Sequence, residues 1–364
     1  MKTYLVGGAV RDKLLGLVPK EHDYVVVGST PEEMLRLGFK KVGRDFPVFL
    51  HPVTHDEYAL ARTERKTDKG YTSFVCYASP EVTLEEDLKR RDLTINAMAE
   101  DERGKIIDPF GGRVDLENKV LRHVSESFAE DPVRILRVAR FAAKLGDFKV
   151  ASRTNELMKL MLEQGEVEAL VPERVWQELN KSLAENYPVK FFTALEDCKV
   201  LGSLFPEIVS GYPNAVLALD RAAKLSKDQI TRFSALVFSL GQNELLAFGR
   251  RYKIPNSYLK TAQMGLKFKE QSKNLPKEPL AWVNWLEELG SYRNPESFKR
   301  VLLAANCNQP ELASLANELL SILNLTSGAK LSTLEITSAT DKSNLKNTLS
   351  QKRCSLLVEH YKKL

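Results

Sequence analysis

The chain has 364 residues, 43% of them hydrophobic and 28% charged, with a formal net charge of +5. That length supports two or three domains with cores of their own, and the composition excludes fibrous, disordered and collagen-like classes. Four scattered cysteines without CxxC spacing (Cys76, Cys198, Cys307, Cys354) speak against a zinc ribbon or a disulfide scaffold and fit a reducing, cytoplasmic setting. Arg11-Asp12 arrive too early for a secretory leader, and no run of about 18 apolar residues exists, so no membrane partner is expected.

Taken in chain order, Thr3–Val6 is a short β-rich run, followed by a Gly7-Gly8 turn and a helix carrying Arg11. Glu21-His22-Asp23 opens the apolar run Tyr24-Val25-Val26-Val27, which predicts a strand. On a strand, residues two apart face one side, so Glu21 and Asp23 are expected to project together. Pro31-Glu32-Glu33 after Ser29-Thr30 predicts a helix start. Glu57–Arg62 is a third strand, and the polar stretch from Arg62 to Tyr77 is expected to be a mobile loop. The next helix is expected to begin near Leu84 and to run on through Asp92, Asn96 and Met98. From about residue 121 the β signal fades. Val133–Leu145 has helical periodicity between Pro132 and Gly146, and later helices are broken at Pro172, Pro188, Pro206, Pro255, Pro276 and Pro295. The expected class is α+β: a head over residues 1–120 with a small mixed β-sheet, a helical neck over 121–207, and a helical body and tail over 208–364.

The chemistry concentrates in four places. Two carboxylates on one strand face, Glu21 and Asp23, repel unless a cation sits between them, and magnesium (Mg2+) prefers oxygen ligands in the company of phosphates. Gly7-Gly8 ahead of a helix lets backbone amides approach a phosphate, with Arg11 one turn further on. Arg91 offers a planar fork to phosphate oxygens beside Asp92 and Asn96, although an i,i+4 pair at a helix end reads the same way. In Glu130-Asp131-Pro132-Val133-Arg134, Asp131 and Arg134 lie three apart at a helix start, an acceptor beside a donor fork. Cytosine and adenine both present an amino donor beside a ring acceptor, whereas guanine and uracil reverse that order. One such pair can therefore accept the first two and reject the others, and a plain N-terminal ion pair is the competing reading. Arg137 and Arg140 continue the series in a stripe that is expected to repel itself unless it meets anions, which a nucleotide's phosphates would supply.

These segments, LVGGAVRDKLLG, EHDYVVVG, ARTERK, LKRRDLTINAM, DPFGGRVDLENKVLRHV, EDPVRILRVARFAAKLG and PERVWQEL, stand in an order that resembles the class II tRNA nucleotidyltransferases. These are the CCA-adding enzymes, close kin of bacterial poly(A) polymerases, and the likeness is greatest to gammaproteobacterial members. It runs from residue 1 to about 207. The resemblance implies addition of CCA to the 3′ end of tRNA from CTP and ATP, with magnesium and without a nucleic-acid template. It places Glu21 and Asp23 at the two metal-carboxylate positions. Gly8, Arg11, Arg91, Arg137 and Arg140 fall at nucleotide contacts, and Glu130, Asp131 and Arg134 in the amino-acid template. Asp115 and Arg122 match the hinge between head and neck, and Arg62–Phe74 the flexible loop. Glu64 is a further acidic candidate or a partner of Arg65 or Lys66.

Two departures stand out. The first motif usually reads Asp-x-Asp, and here Glu21 holds the first position. In the distal half, Phe238-Ser239 stand where related long proteins carry a His-Asp pair of a phosphohydrolase, and no histidine occurs between His123 and His360. Phenylalanine and serine do not replace imidazole and carboxylate ligands, so no metal-dependent phosphatase activity is expected there. Basic clusters at Arg250-Arg251, Lys267-Lys269-Lys273 and Lys299-Arg300 are candidate tRNA contacts. The alternatives are a poly(A) polymerase, an enzyme adding only CC or A, and a tRNA-binding protein with weakened catalysis.

Overall fold

The structure, a computed structural model of the chain, describes residues 1–42, 47–66, 74–329 and 342–362. They form two compact units, Met1–Leu204 and Phe205–Leu364.

The first unit begins with β1 (Lys2–Val6), α1 (Gly8–Leu14), β2 (Asp23–Val27), α2 (Pro31–Arg36), β3 (Lys40–Lys41), β4 (Val48–Leu50) and β5 (Glu57–Leu60). There follow β6 (Thr63–Lys66), β7 (Phe74–Tyr77), α3 (Leu84–Lys89), β8 (Ala99–Glu100) and β9 (Ile106–Ile107). Seven strands form a mixed sheet in the order β3-β4-β5-β2-β1-β8-β9. β2 lies antiparallel to β1 and parallel to β5, with Asp23 level with Glu57 and Val26 with Leu60. The sheet is covered on both faces. Val6, Val25, Leu88 and Ala99 share one apolar cluster, while Val26, Met34, Phe49 and Leu60 share another. That is why β2 reads as an unbroken valine run instead of alternating with polar residues.

Helix starts follow the sequence cues. Thr30 Oγ1 accepts from Glu33 N at 3.2 Å ahead of Pro31, and Thr83 with Glu86 forms a reciprocal capping box on α3. Such caps contribute about 1 kcal/mol each. α3 nevertheless stops at Lys89. The expected long helix breaks because the Asp92 side chain turns back to accept from Leu93 N at 2.8 Å, and Thr94–Asn96 forms a single 3₁₀ turn. The polar stretch after Arg62 also departs from expectation: Thr63–Lys66 and Phe74–Tyr77 pair as an antiparallel hairpin, and the expected loop at 67–73 lies outside the described residues.

Next come α4 (Gly112–Glu117), β10 (Val120–Leu121), α5 (Val133–Leu145), β11 (Lys149–Val150), α6 (Ser152–Glu163), α7 (Pro172–Ala184) and α8 (Val189–Asp197). β10 and β11 pair in parallel, a small piece of sheet in a region expected to be helical throughout. α5 is bounded by Pro132 and by Gly146 at φ 51°, and it packs on α7 and α8. Its buried face includes Ile135, Leu136, Val138 and Ala139, which leaves its arginines directed to one side.

The second unit is helical. Several of its prolines sit at helix starts, as at Pro206, Pro279 and Pro295, where a missing N–H costs nothing, while Pro276 lies in irregular chain between helices. Phe238, Phe268, Val283, Leu286, Phe298, Val301 and Leu319 build its main apolar core. Phe238 is 3% exposed in that cluster, and Lys269 Nζ donates to the carbonyls of Phe238, Ser239 and Leu240 at 2.9, 3.3 and 3.2 Å. Most of the basic clusters expected to face RNA are engaged within the protein. Lys267 donates to Glu288 O, Arg251 pairs with Glu207, Lys299 with Glu296 and Arg300 with Asp228. No helix among the described residues is long and apolar enough to cross a membrane.

Candidate active site

A cleft of about 990 Å³ opens within the first unit, between the β1–α1 turn, the starts of β2 and β5, and the arginine side of α5. Gly7 makes the turn. It sits at φ 67°, ψ −125°, a conformation that side chains resist, and a Cβ there would lie 2.9 Å from Arg91 Nη1. Gly8 follows at the start of α1, with Arg11 Nη2 3.5 Å from where its Cβ would be.

The acidic wall is built by strand register. Asp23 is the first residue of β2, and its parallel pairing sets Glu57 of β5 beside it. Glu21, expected on the strand, precedes it as irregular chain, yet Glu21, Asp23 and Glu57 all line the cleft. Burial first, and then the negative charge of Glu21, raise the Asp23 carboxyl above its ordinary value. Among the described residues no three His, Cys, Asp or Glu side chains converge into a complete cation cage. An exposed two-carboxylate edge is the arrangement magnesium uses when water and substrate phosphates supply its other ligands. Glu57 was not among the sequence candidates, because only the parallel pairing of β2 with β5 brings it next to Asp23. The side chain of Glu64 lies outside the described residues.

The opposite wall is a chain of charged groups. Arg137 donates through Nε to Asp92 Oδ2 at 2.8 Å, with Nη2 at 2.7 Å; Asp92 Oδ1 accepts from Asn96 Nδ2 at 3.1 Å; Asn96 Oδ1 accepts from Arg11 Nη1 at 2.6 Å. Arg11 in turn holds Asp12, which Lys144 reaches at 3.3 Å. The Asp92–Asn96 contact expected at i,i+4 is therefore present, but as one link in a relay from α1 to α5. Arg91 takes another course: Nη2 donates to the fully buried Asp87 at 3.1 Å and Nη1 to Asn96 O at 3.4 Å. Arg91 Nε is buried and has no hydrogen-bond partner among the described residues. Desolvation lowers the Arg91 pKa despite Asp87.

The arginine stripe on α5, expected to repel itself unless it meets anions, meets resident carboxylates at Arg137 and Arg140. Arg140 donates to Glu178 Oε2 at 2.6 Å and lies 4.7 Å from the centre of the Phe141 ring, which Arg11 also faces at 5.2 Å. Arg134, 8% exposed, donates to the carbonyls of Ser127 and Arg90 at 2.8 and 2.6 Å. Asp131 accepts from Val133 N at 3.1 Å and pairs with Arg174 of α7 at 3.5 Å. Asp131 and Arg134 both line the cleft, whereas Glu130 closes the preceding 3₁₀ turn and does not.

Residues 3–122 match the family described as "Poly A polymerase head domain", and residues 147–211 match "Probable RNA and SrmB- binding site of polymerase A". The chain is 51% identical to the "Multifunctional CCA protein" of Thioalkalivibrio sulfidiphilus over 85% of this chain and 84% of that protein. It is likewise 51% identical to the "CCA-adding enzyme" of Coxiella burnetii, over 84% and 81% of the two chains. The chain belongs to the CCA-adding enzyme family. Among solved structures of that family, the Bacillus stearothermophilus CCA-adding enzyme in complex with CTP is similar at a TM-score of 0.74 and 25% identity, covering 98% of this chain and 89% of that one. A tRNA nucleotidyltransferase complexed with a primer tRNA and an incoming ATP analog gives 0.66 and 27%, covering 89% and 95%. The α+β class expected for a CCA-adding enzyme is the one observed. The motif segment that the resemblance assigns to the hinge is tied together here by Thr94 Oγ1 donating to the buried Asp115 at 2.7 Å and Arg122 Nε at 3.0 Å.

Proposed function

We propose that this chain extends the 3′ end of tRNA with CCA, taking CTP and then ATP and releasing pyrophosphate, in the cytoplasm. The observation that carries the assignment is one cleft lined both by an acidic strand edge and by the half-buried Arg91, whose Nε is buried and has no hydrogen-bond partner among the described residues.

In this reading Glu21 and Asp23, with Glu57 beside them, hold magnesium. When bound, magnesium supplies charge stabilisation to the entering and leaving oxygens of the displacement. The glycine turn and Arg91 receive the triphosphate, the amides of Gly7-Gly8 approaching closely because neither residue carries a Cβ. The tRNA 3′ hydroxyl loses its proton to solvent and its oxygen bonds to the α-phosphorus as the bond to the pyrophosphate oxygen breaks. Asp131 and Arg134 read the base edge. Their geometry is held by neighbours: Arg174 steadies the carboxylate, and two carbonyls grip the guanidinium. Asp92, Asn96, Arg11, Arg137 and Arg140 keep that wall in register with the glycine turn. Residues 1–120 act as catalytic head, 121–207 as the nucleotide-selecting neck, and 208–364 as a helical body and tail toward tRNA.

The test is extension of a tRNA lacking its last three nucleotides with CTP, ATP and both, followed by sequencing of the 3′ ends. CC from CTP alone and CCA from the mixture are expected. A homopolymer from ATP alone would identify a poly(A) polymerase, and no incorporation at all would reject the enzymatic reading.

A further inference from the structure

A second cavity, of about 720 Å³, lies in the same unit and takes no part in the chemistry above. Lys89 at the end of α3, Arg90, Arg122 and Arg153 at the start of α6 converge on it, together with Ser125 and Ser127. Two carboxylates share the lining, Glu86 and Glu126, and Glu86 is spent on the capping box with Thr83. Arg122 is tied to Asp115 and Arg90 to Asp87, so their positions are fixed. Lys89 and Arg153 are exposed and make no ion pair among the described residues. A cavity of this size, lined by four cations against two carboxylates, suits phosphodiester oxygens.

We infer that this cavity is an RNA-backbone site, at which Lys89 and Arg153 contact phosphates of the tRNA while its 3′ end occupies the catalytic cleft. The inference rests on the RNA-extending reading above. The wall between the two cavities supports it. Arg90 lines both, and the carbonyls that fix Arg134, those of Arg90 and Ser127, belong to residues of the second cavity. RNA held here is anchored on the residues that orient the base-reading guanidinium, with no contact to the nucleotide itself.

The experiment measures binding of the trimmed tRNA to wild type and to a Lys89→Glu/Arg153→Glu double variant across a salt series. CTP binding by calorimetry and circular dichroism are measured alongside, and the milder Lys89→Gln/Arg153→Gln variant covers a folding defect in the first. The expected result is tRNA binding weakened by roughly ten-fold or more near physiological salt, and a plot of log Kd against log salt flattened by about 1 for each residue. CTP affinity stays unchanged. If wild type extends tRNA while either folded variant keeps its tRNA affinity and salt slope, this site is wrong and the function stands. If wild type binds CTP but never extends tRNA, it is the function that fails.

Discussion

Asp92→Asn is the sharpest probe of how the cleft is held. Asp92 is 6% exposed and accepts three hydrogen bonds, one each from Arg137, Asn96 and Leu93, with Arg137 Nη2 a further 2.7 Å ion-pair contact. Burial alone would raise its pKa, but the Arg137 charge and those hydrogen bonds outweigh it and hold the carboxyl far below the ordinary range. Asparagine keeps an acceptor for Leu93 and Asn96 and loses the charge opposite Arg137. Breaking a buried pair costs about 3–5 kcal/mol, but the Arg137 side chain is 38% exposed, so water recovers part of it. A loss of about 2–3 kcal/mol is expected, near a 1 M shift in urea midpoint for a unit of this size. Trp176 lies in this unit, so a background with Trp282 and Trp285 replaced by phenylalanine lets its fluorescence follow this transition alone. The sign of the pH dependence follows from the depressed folded-state pKa. The stabilisation is present above the unfolded carboxylate value near pH 4 and is lost as pH falls toward the folded one. The gap between wild type and Asp92→Asn should therefore narrow steadily below about pH 4. A gap of the same size at pH 7 and pH 3 would refute the reasoning.

Two further substitutions test the glycine turn and the acid edge. Gly7→Ala meets both a disfavoured φ and the Arg91 guanidinium, so a loss of about 1–3 kcal/mol and a raised KM for CTP are expected from melting and steady-state kinetics. Glu21→Asp withdraws the carboxylate by one methylene toward the usual family geometry. A misplacement of about 1 Å can cost about 10²-fold, so an increase in CTP incorporation of up to that size is expected, and a fall would show that the cleft is shaped around glutamate.

What could be read from the residues divides along sequence distance. The β2 strand, the Thr30 cap and the span of α5 depend on neighbours within a few positions, and the structure shows each of them. Which anions meet the arginine stripe is not legible locally, because they come from far along the chain: Asp92 lies 45 residues from Arg137, and Glu178 lies 38 from Arg140. Glu57 was missed for the same reason, its place beside Asp23 being a product of parallel pairing. The early end of α3 was hidden because Arg91-Asp92-Leu93 has acceptable helix propensity. What ends the helix is a side-chain acceptor competing for the Leu93 amide, and that shows only in three dimensions.

The resident ion pairs also decide what kind of ligand fits. If every guanidinium on the α5 wall were free, the cleft would attract any anion. Instead Asp92, Glu178 and Asp131 neutralise Arg137, Arg140 and Arg174, so the remaining mismatch is local. Two features of it stand out: Asp23 is raised by burial and by Glu21, and the buried Arg91 Nε has no hydrogen-bond partner among the described residues. A cation alone relieves the first, and a phosphate alone relieves the second. On the proposed function a metal-bound triphosphate would relieve both in one binding event, its metal at the acid edge and its phosphates at Arg91. On that reading the cleft suits the metal–nucleotide complex more than either component, because a partial ligand leaves either the carboxylate pair or the Arg91 Nε without a partner.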